Sequence, residues 1–190
     1  MTQSLNSLLA NHDQAVSILM KGGIGIMPTD TVYGLVARAE DSSAVTRMYK
    51  LKDRNYKPGT IIAASIAQLL SLGIDQINID KVSQWWPNPL SAVLKMNGNT
   101  YLHQGVGDIA VRVVSNPAIK AFLQKTGPLL TSSANLPGQT ESTSITQAYA
   151  YFNDTVDFYV DGGVIDNTLP STIVRPDARG ITVLRQGSIH

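Results

Sequence analysis

The 190-residue chain has no cysteine, which removes disulfides and thiol chemistry and fits a reducing compartment such as the cytosol. It has three histidines, His12, His103 and His190, and no two stand at metal-ligand spacing, so a protein-bound zinc site is not expected. No apolar run approaches the roughly 18 residues of a membrane span. The opening Met1-Thr2-Gln3-Ser4-Leu5-Asn6 lacks the basic and long apolar regions of a signal peptide. A soluble, cytoplasmic protein with no membrane partner is the expectation. Charged residues make up only 15% of the chain and nearly cancel at a net +1, so no global field recruits nucleic acid. Familiar catalytic signatures are missing too. There is no G-x-x-x-x-G-K-[ST] and no G-x-S-x-G, which argues against a P-loop and a serine-hydrolase elbow. Gly105 to Ala110 fits G-x-G-x-x-A, but it opens a strand-like run where a dinucleotide fingerprint must open a helix.

The chain does have enough apolar residues, 43%, to bury one sizeable core. Extended and helical patterns alternate along it. Asp13 can cap a helix through about Lys21, closed by Gly22-Gly23, and Ile24 to Met27 reads as a buried strand. Ser42 or Ser43 can cap a second helix leading to Lys52, and Thr60 to Ala64 reads as a strand followed by a short helix from Ser65 to Leu72. A helix is expected from Asp80 to Trp86, before Pro87. Strands follow at Leu90 to Met96 and Ile109 to Val114. Asn116, Pro117 and Gly127 bracket a helix from Ala118 to Lys125, and Leu129-Leu130-Thr131 is a short strand. A polar loop from Asn135 to Ser144 leads into a helix ending near Phe152. Extended segments at 156–160, 172–174 and 181–184 close the chain. Alternation of this kind predicts an α/β fold, and strand pairs without an intervening helix make its sheet mixed, parallel and antiparallel. No linker or repeat interrupts the pattern, so a single domain over 1–190 is expected.

Four runs place hydroxyls or an arginine at or near the end of an apolar segment. They are Pro28-Thr29-Asp30-Thr31, Ala110-Val111-Arg112, Leu130-Thr131-Ser132-Ser133-Ala134-Asn135 and Pro170-Ser171-Thr172. Strand ends are where open α/β sheets bind ligands, so these runs propose a polar site. Each also has a plainer reading: Thr and Pro as turn residues, Ser-Asn as caps, Arg112 as an ion-paired strand arginine. Lys50, Lys52, Arg54 and Lys57 supply four of the 15 Lys and Arg residues within eight positions, interleaved with Tyr49 and Tyr56. Such a cluster suits a triphosphate, RNA or plain solvent.

Taken in order, PTDTVYGL at 28–35, KDR at 52–54, WPNPLS at 86–91, AVRV at 110–113, SSAN at 132–135 with Gly138, PSTIV at 170–174 and LRQG at 184–187 resemble the YrdC/Sua5 (TsaC) family. The resemblance covers residues from about 13 to the end and is similar in length to the family's single-domain form. It implies a YrdC-like twisted open sheet with flanking helices. The activity it implies is condensation of L-threonine, bicarbonate and ATP, with Mg²⁺, into threonylcarbamoyl-AMP and pyrophosphate, for the t6A modification of tRNA by further transfer proteins. It assigns Thr31, Arg112, Ser133 and Ser171 to threonine and Lys52, Arg54, Asn135, Thr143 and Arg185 to ATP, with Lys52 and Arg54 as the catalytic cations. Mg²⁺ would be held through phosphates, with no ligand from a protein side chain. A double-stranded RNA-binding or ribosome-maturation module is the alternative, and tRNA or double-stranded RNA the corresponding partner.

Overall fold

The computed structural model describes residues 3–165, 169–178 and 180–188, so His190 lies outside the described residues. Its strands are β1 (Gly25–Pro28), β2 (Tyr33–Arg38), β3 (Thr60–Ala63), β4 (Leu90–Lys95), β5 (Asp108–Val113), β6 (Leu129–Ser133), β7 (Phe158–Tyr159), β8 (Thr172–Asp177) and β9 (Gly180–Arg185). They form one sheet in the order β7-β1-β2-β6-β3-β5-β4-β8-β9. The pairs β1–β7, β3–β5 and β4–β8 are parallel and the other five antiparallel, as the missing crossover helices required. The helices are α1 (Gln3–Leu8), α2 (His12–Met20), α3 (Ser42–Leu51), α4 (Ile66–Ser71), α5 (Gln76–Asp80), α6 (Thr100–His103), α7 (Pro117–Thr126) and α8 (Ile145–Phe152). Among the described residues no helix is long and apolar enough to cross a membrane.

Because successive side chains of a strand point to opposite faces, the sheet divides the core in two. On one face Ile26, Leu35, Ile61, Val111 and Leu130 pack with Val45 and Met48 of α3, Leu102 of α6 and Phe152 of α8. On the other, Met27, Val36, Ile62 and Leu129 meet Ala15 and Leu19 of α2 and Phe122 and Leu123 of α7. Each large side chain buried in these clusters contributes on the order of 1.5–3 kcal/mol. The second cluster covers only part of its face. Further along the same strands that face carries Gly34, Thr60, Ala110, Thr131 and Ser133 in place of large apolar residues, and there it opens into a cavity.

Local signals moved several boundaries. Asn11 rather than Asp13 caps α2: its side chain accepts from the Gln14 backbone while the Gln14 side chain accepts from the Asn11 backbone. Asp41, which accepts from the Ser43 and Ala44 amides, caps α3 in place of Ser42 or Ser43. Asn116, Pro117 and Gly127 bracket α7 as the sequence predicts. The helix expected from Asp80 to Trp86 is instead the C-terminal end of α5, capped earlier by Asp75, and then a single 3₁₀ turn at Ser83–Trp85. The largest omission is β2. Tyr33-Gly34-Leu35-Val36-Ala37 is buried on both faces, so it shows no alternation, and its glycine reads as a loop signal.

Candidate active site

β1 and β2 form a hairpin, so the 28–35 run is a turn between two strands rather than the end of one. Thr29 ties that turn: its amide and its hydroxyl both donate to the Val32 carbonyl, at 3.0 and 2.7 Å. The turn aims Asp30 and Thr31 at Arg112, which projects from β5 opposite Ile62 of β3. Gly34 follows at once and is required by crowding. A Cβ there would stand 2.5 Å from Thr131 Oγ1 and 2.9 Å from Thr29 Cγ2.

These elements border a cavity of about 400 Å³ lying across one face of the sheet, not beyond the strand ends. Thr31, Arg54, Arg112, Ser133, Ser171 and Arg185 all line it, so six of the nine residues singled out in sequence converge here. Lys52 and Asn135 stand just behind. Lys52, the residue that caps the C-terminus of α3, is 4% exposed and donates from Nζ to the Ser133 carbonyl at 2.9 Å, to the Asn135 side-chain oxygen at 3.0 Å and to the Asn135 carbonyl. Ser133 Oγ donates to the same Asn135 Oδ1 at 2.7 Å. Thr143 is not brought in. It is exposed, outside the cavity lining, and its amide and hydroxyl contact Gln147 Oε1 at 2.9 and 3.4 Å.

One end of the cavity is dominated by Arg112. The guanidinium is almost fully buried and pairs with the Asp30 carboxylate at 2.5 Å, the two side chains being 4% and 5% exposed. Nη1 reaches Ser91 Oγ at 3.3 Å, Nη2 reaches Thr31 Oγ1 at 3.4 Å, and Ser91 and Ser171 share a 2.9 Å hydroxyl contact. Arg112 is therefore both an ion-paired strand arginine and a wall of the site. The sequence reading missed Asp30 and Ser91, although both sit inside runs it had marked, PTDTVYGL and WPNPLS.

The other end carries dispersed cations. Arg54 donates to Ser132 Oγ at 2.7 Å, and Arg185 of β9 to the Ser171 carbonyl at 2.8 Å. Arg175 faces Asp108 at 3.5 Å, and Glu141 also lines the cavity. The basic cluster near residue 52 is split: Lys52 is buried and Arg54 partly so, while Lys50, Tyr56 and Lys57 are exposed. Burial, reinforced by the neighbouring Arg54 charge and opposed by Glu141, lowers the Lys52 ammonium to about 8. Burial also lowers Arg54 and Arg185. The C-terminal segment is seated on the Ser171 loop. Gly187 donates to Thr172 Oγ1 at 3.1 Å, and a Cβ on Gly187 would fall 2.2 Å from the Pro170 carbonyl.

Residues 17–187 match the Sua5/YciO/YrdC family model, whose description reads "Telomere recombination". A protein of Pseudoalteromonas translucida named threonylcarbamoyl-AMP synthase is 37% identical over 167 residues, 84% of this chain and 89% of its own. A Vibrio cholerae protein of the same name is 33% identical over 189 residues, 95% of this chain and all of its own. The crystal structure of P. abyssi Sua5 complexed with L-threonine superposes with a TM-score of 0.82 at 28% identity, covering 93% of this chain. The chain spans 54% of that longer protein. A family match across nearly the whole chain, joined to a shared fold, settles the affiliation: this chain belongs to the Sua5/YciO/YrdC family.

Proposed function

We propose that this protein is a threonylcarbamoyl-AMP synthase, condensing L-threonine, bicarbonate and ATP with release of pyrophosphate. The observation that carries the reading is the division of one cavity into two chemistries. A buried guanidinium in contact with the Thr31 and Ser91 hydroxyls, the latter linked to Ser171, suits a small hydroxy-amino acid, and Arg54 and Arg185, with Lys52 just behind the wall, suit a triphosphate. The name carried by the curated relatives and the threonine complex of P. abyssi Sua5 support it.

In this reading Arg112 holds the threonine carboxylate, and the hydroxyls of Thr31, Ser133 and Ser171 fix its amine and side chain. The amine combines with bicarbonate, losing water, to give a carbamate. A carbamate oxygen then attacks the α-phosphorus as the bond to pyrophosphate breaks. Lys52 and Arg54 stabilise the charge that accumulates on the phosphates, with Asn135 fixing Lys52 and Arg185 closing the nucleotide end. Catalysis is then mostly positioning and preorganised charge. Mg²⁺ would be carried on the ATP phosphates and would neutralise part of their charge. Asp108, which faces Arg175, and Glu141 are the carboxylates in the cavity, and among the described residues no cluster of three metal-ligating side chains stands together, so the cation would be held through the phosphates. The product would serve the t6A modification of tRNA through separate transfer proteins. Labelled bicarbonate tests the reading: label should enter an adenylate only when threonine and ATP are both present. Label in an adenylate without threonine would refute it.

A further inference from the structure

The Asp30 carboxylate occupies the edge of Arg112 that an incoming carboxylate would be expected to use. Its Oδ1 and Oδ2 accept from Nε at 3.2 and 3.0 Å, and Oδ1 accepts from Nη2 at 2.5 Å. A bidentate pair of this kind, with both side chains about 95% buried, is not given up for a second carboxylate of equal charge. The opposite end of the guanidinium differs. There Nη1 and Nη2 make only the long contacts of 3.3 and 3.4 Å, to Ser91 and Thr31 hydroxyls that can rotate to other partners. Arg112 and Thr31 face the cavity, and Asp30 does not line it.

Resting on the function proposed above and deepening it, we infer that Asp30 is a positioning residue: it grips Arg112 by the Nε/Nη2 edge and so dedicates the Nη1/Nη2 end to reading the amino acid's carboxylate. The hairpin turn makes that grip stiff, because Thr29 bonds to Val32 on either side of Asp30. Asp30 also cancels the Arg112 charge, so recognition at this end depends on directed hydrogen bonds more than on net charge. A carboxylate oriented between two N–H donors is accepted, and a neutral amide, which brings its own donors, is rejected.

The test compares L-threonine with L-threoninamide in ATP-dependent pyrophosphate release, for the wild type, Asp30→Asn and Asp30→Glu, with thermal unfolding of each recorded. Wild type should strongly prefer the acid. Asp30→Asn should raise the threonine KM about 10- to 100-fold, the scale of one charge-assisted hydrogen bond, while leaving the ATP KM within about 2-fold. The preference for acid over amide should fall by at least about 10-fold, a ratio that general loss of folded protein cannot change. Asp30→Glu, which keeps the charge on a longer arm, should recover part of that preference, and it stands in for the asparagine variant if that chain does not fold. An unchanged preference in the folded variant overturns the inference. A lowered threonine KM in Asp30→Asn also overturns it, because Asp30 would then be only a competitor for the substrate's place. A wild type with no threonine-dependent release would instead refute the proposed function itself.

Discussion

The two ends of the cavity are built on opposite plans. Around Arg112 every polar group already has a partner in the free protein: Asp30, Thr31, Ser91 and Ser171 form one connected, buried set. Toward Arg185 two of the cations, Arg175 and Arg185, lie on exposed ground, while Lys52 is buried and Arg54 partly so. β9 is solvent-accessible along its whole length, Leu184 is half exposed on the cavity rim, and Arg175 is 49% exposed beside Asp108. A small substrate with few contacts cannot supply the energy to assemble its own site, so a preformed wall lowers the cost of binding it. A triphosphate brings many charges and can organise the exposed Arg175 and Arg185 on arrival, with Lys52 held in advance. The difference teaches that rigidity here is placed where the ligand is small.

The largest test of that contrast is Arg112→Ala against Arg185→Ala. Removing Arg112 leaves the Asp30 carboxylate buried and unpaired, which should cost about 3–5 kcal/mol of stability. Any folded fraction should lose a threonine contact worth about 1.5–3 kcal/mol. Arg185→Ala should leave stability within about 0.5 kcal/mol, as for other exposed positions. Its ATP KM should still rise about 10-fold, the weight of one contact to a charged group. Thermal melts and substrate titrations read both. Equal stability losses would break the comparison.

Next comes Gly34→Ala, which pushes a methyl against Thr131 and Thr29 beneath the preformed wall. It should destabilise by about 1–3 kcal/mol through overpacking and raise the threonine KM more than the ATP KM. The reverse order of effects would place Gly34 at the wrong end.

The pH dependence separates the ends by a different handle. Lys52 is held at about 8 against an ordinary 10.5, so between those values the unfolded chain binds more protons than the folded one. The Lys52 contribution to stability therefore rises with pH across that window. ATP binding, which uses the charged ammonium, weakens across the same window. ATP KM measured from pH 7 to 9.5 should climb through about 8, and a Lys52→Arg variant should flatten the climb. A flat wild-type profile would remove Lys52 from phosphate binding.

The smallest effect belongs to Thr143→Ala. Its position outside the cavity predicts an ATP KM within about 2-fold of wild type, less than the loss of one neutral hydrogen bond. A larger change would mean that the loop before α8 moves onto the nucleotide.

How much of this was legible in the sequence depended on the kind of signal each residue sends. Caps and breakers work locally, so α7 and the mixed sheet could be read from Asn116, Pro117, Gly127 and the missing crossover helices. The fully buried strand β2 could not, because its period is hidden when both faces are packed. Arg112, Thr31, Ser133 and Ser171 were visible through their motifs. The role of Asp30 was not, since it depends on a partner 82 positions away in the chain. Ser91 was hidden for the same reason: its importance lies in its contacts to Arg112 and Ser171 across three strands' worth of sheet. The split of the basic cluster was equally invisible, because only the end of α3 decides which lysine turns inward.

The most direct measurement is pyrophosphate release from ATP by the purified protein, with threonine and bicarbonate each supplied or withheld. Release that requires both together is the predicted result. Release that proceeds equally without threonine would contradict the account, because the Arg112 wall would then have no part in the reaction.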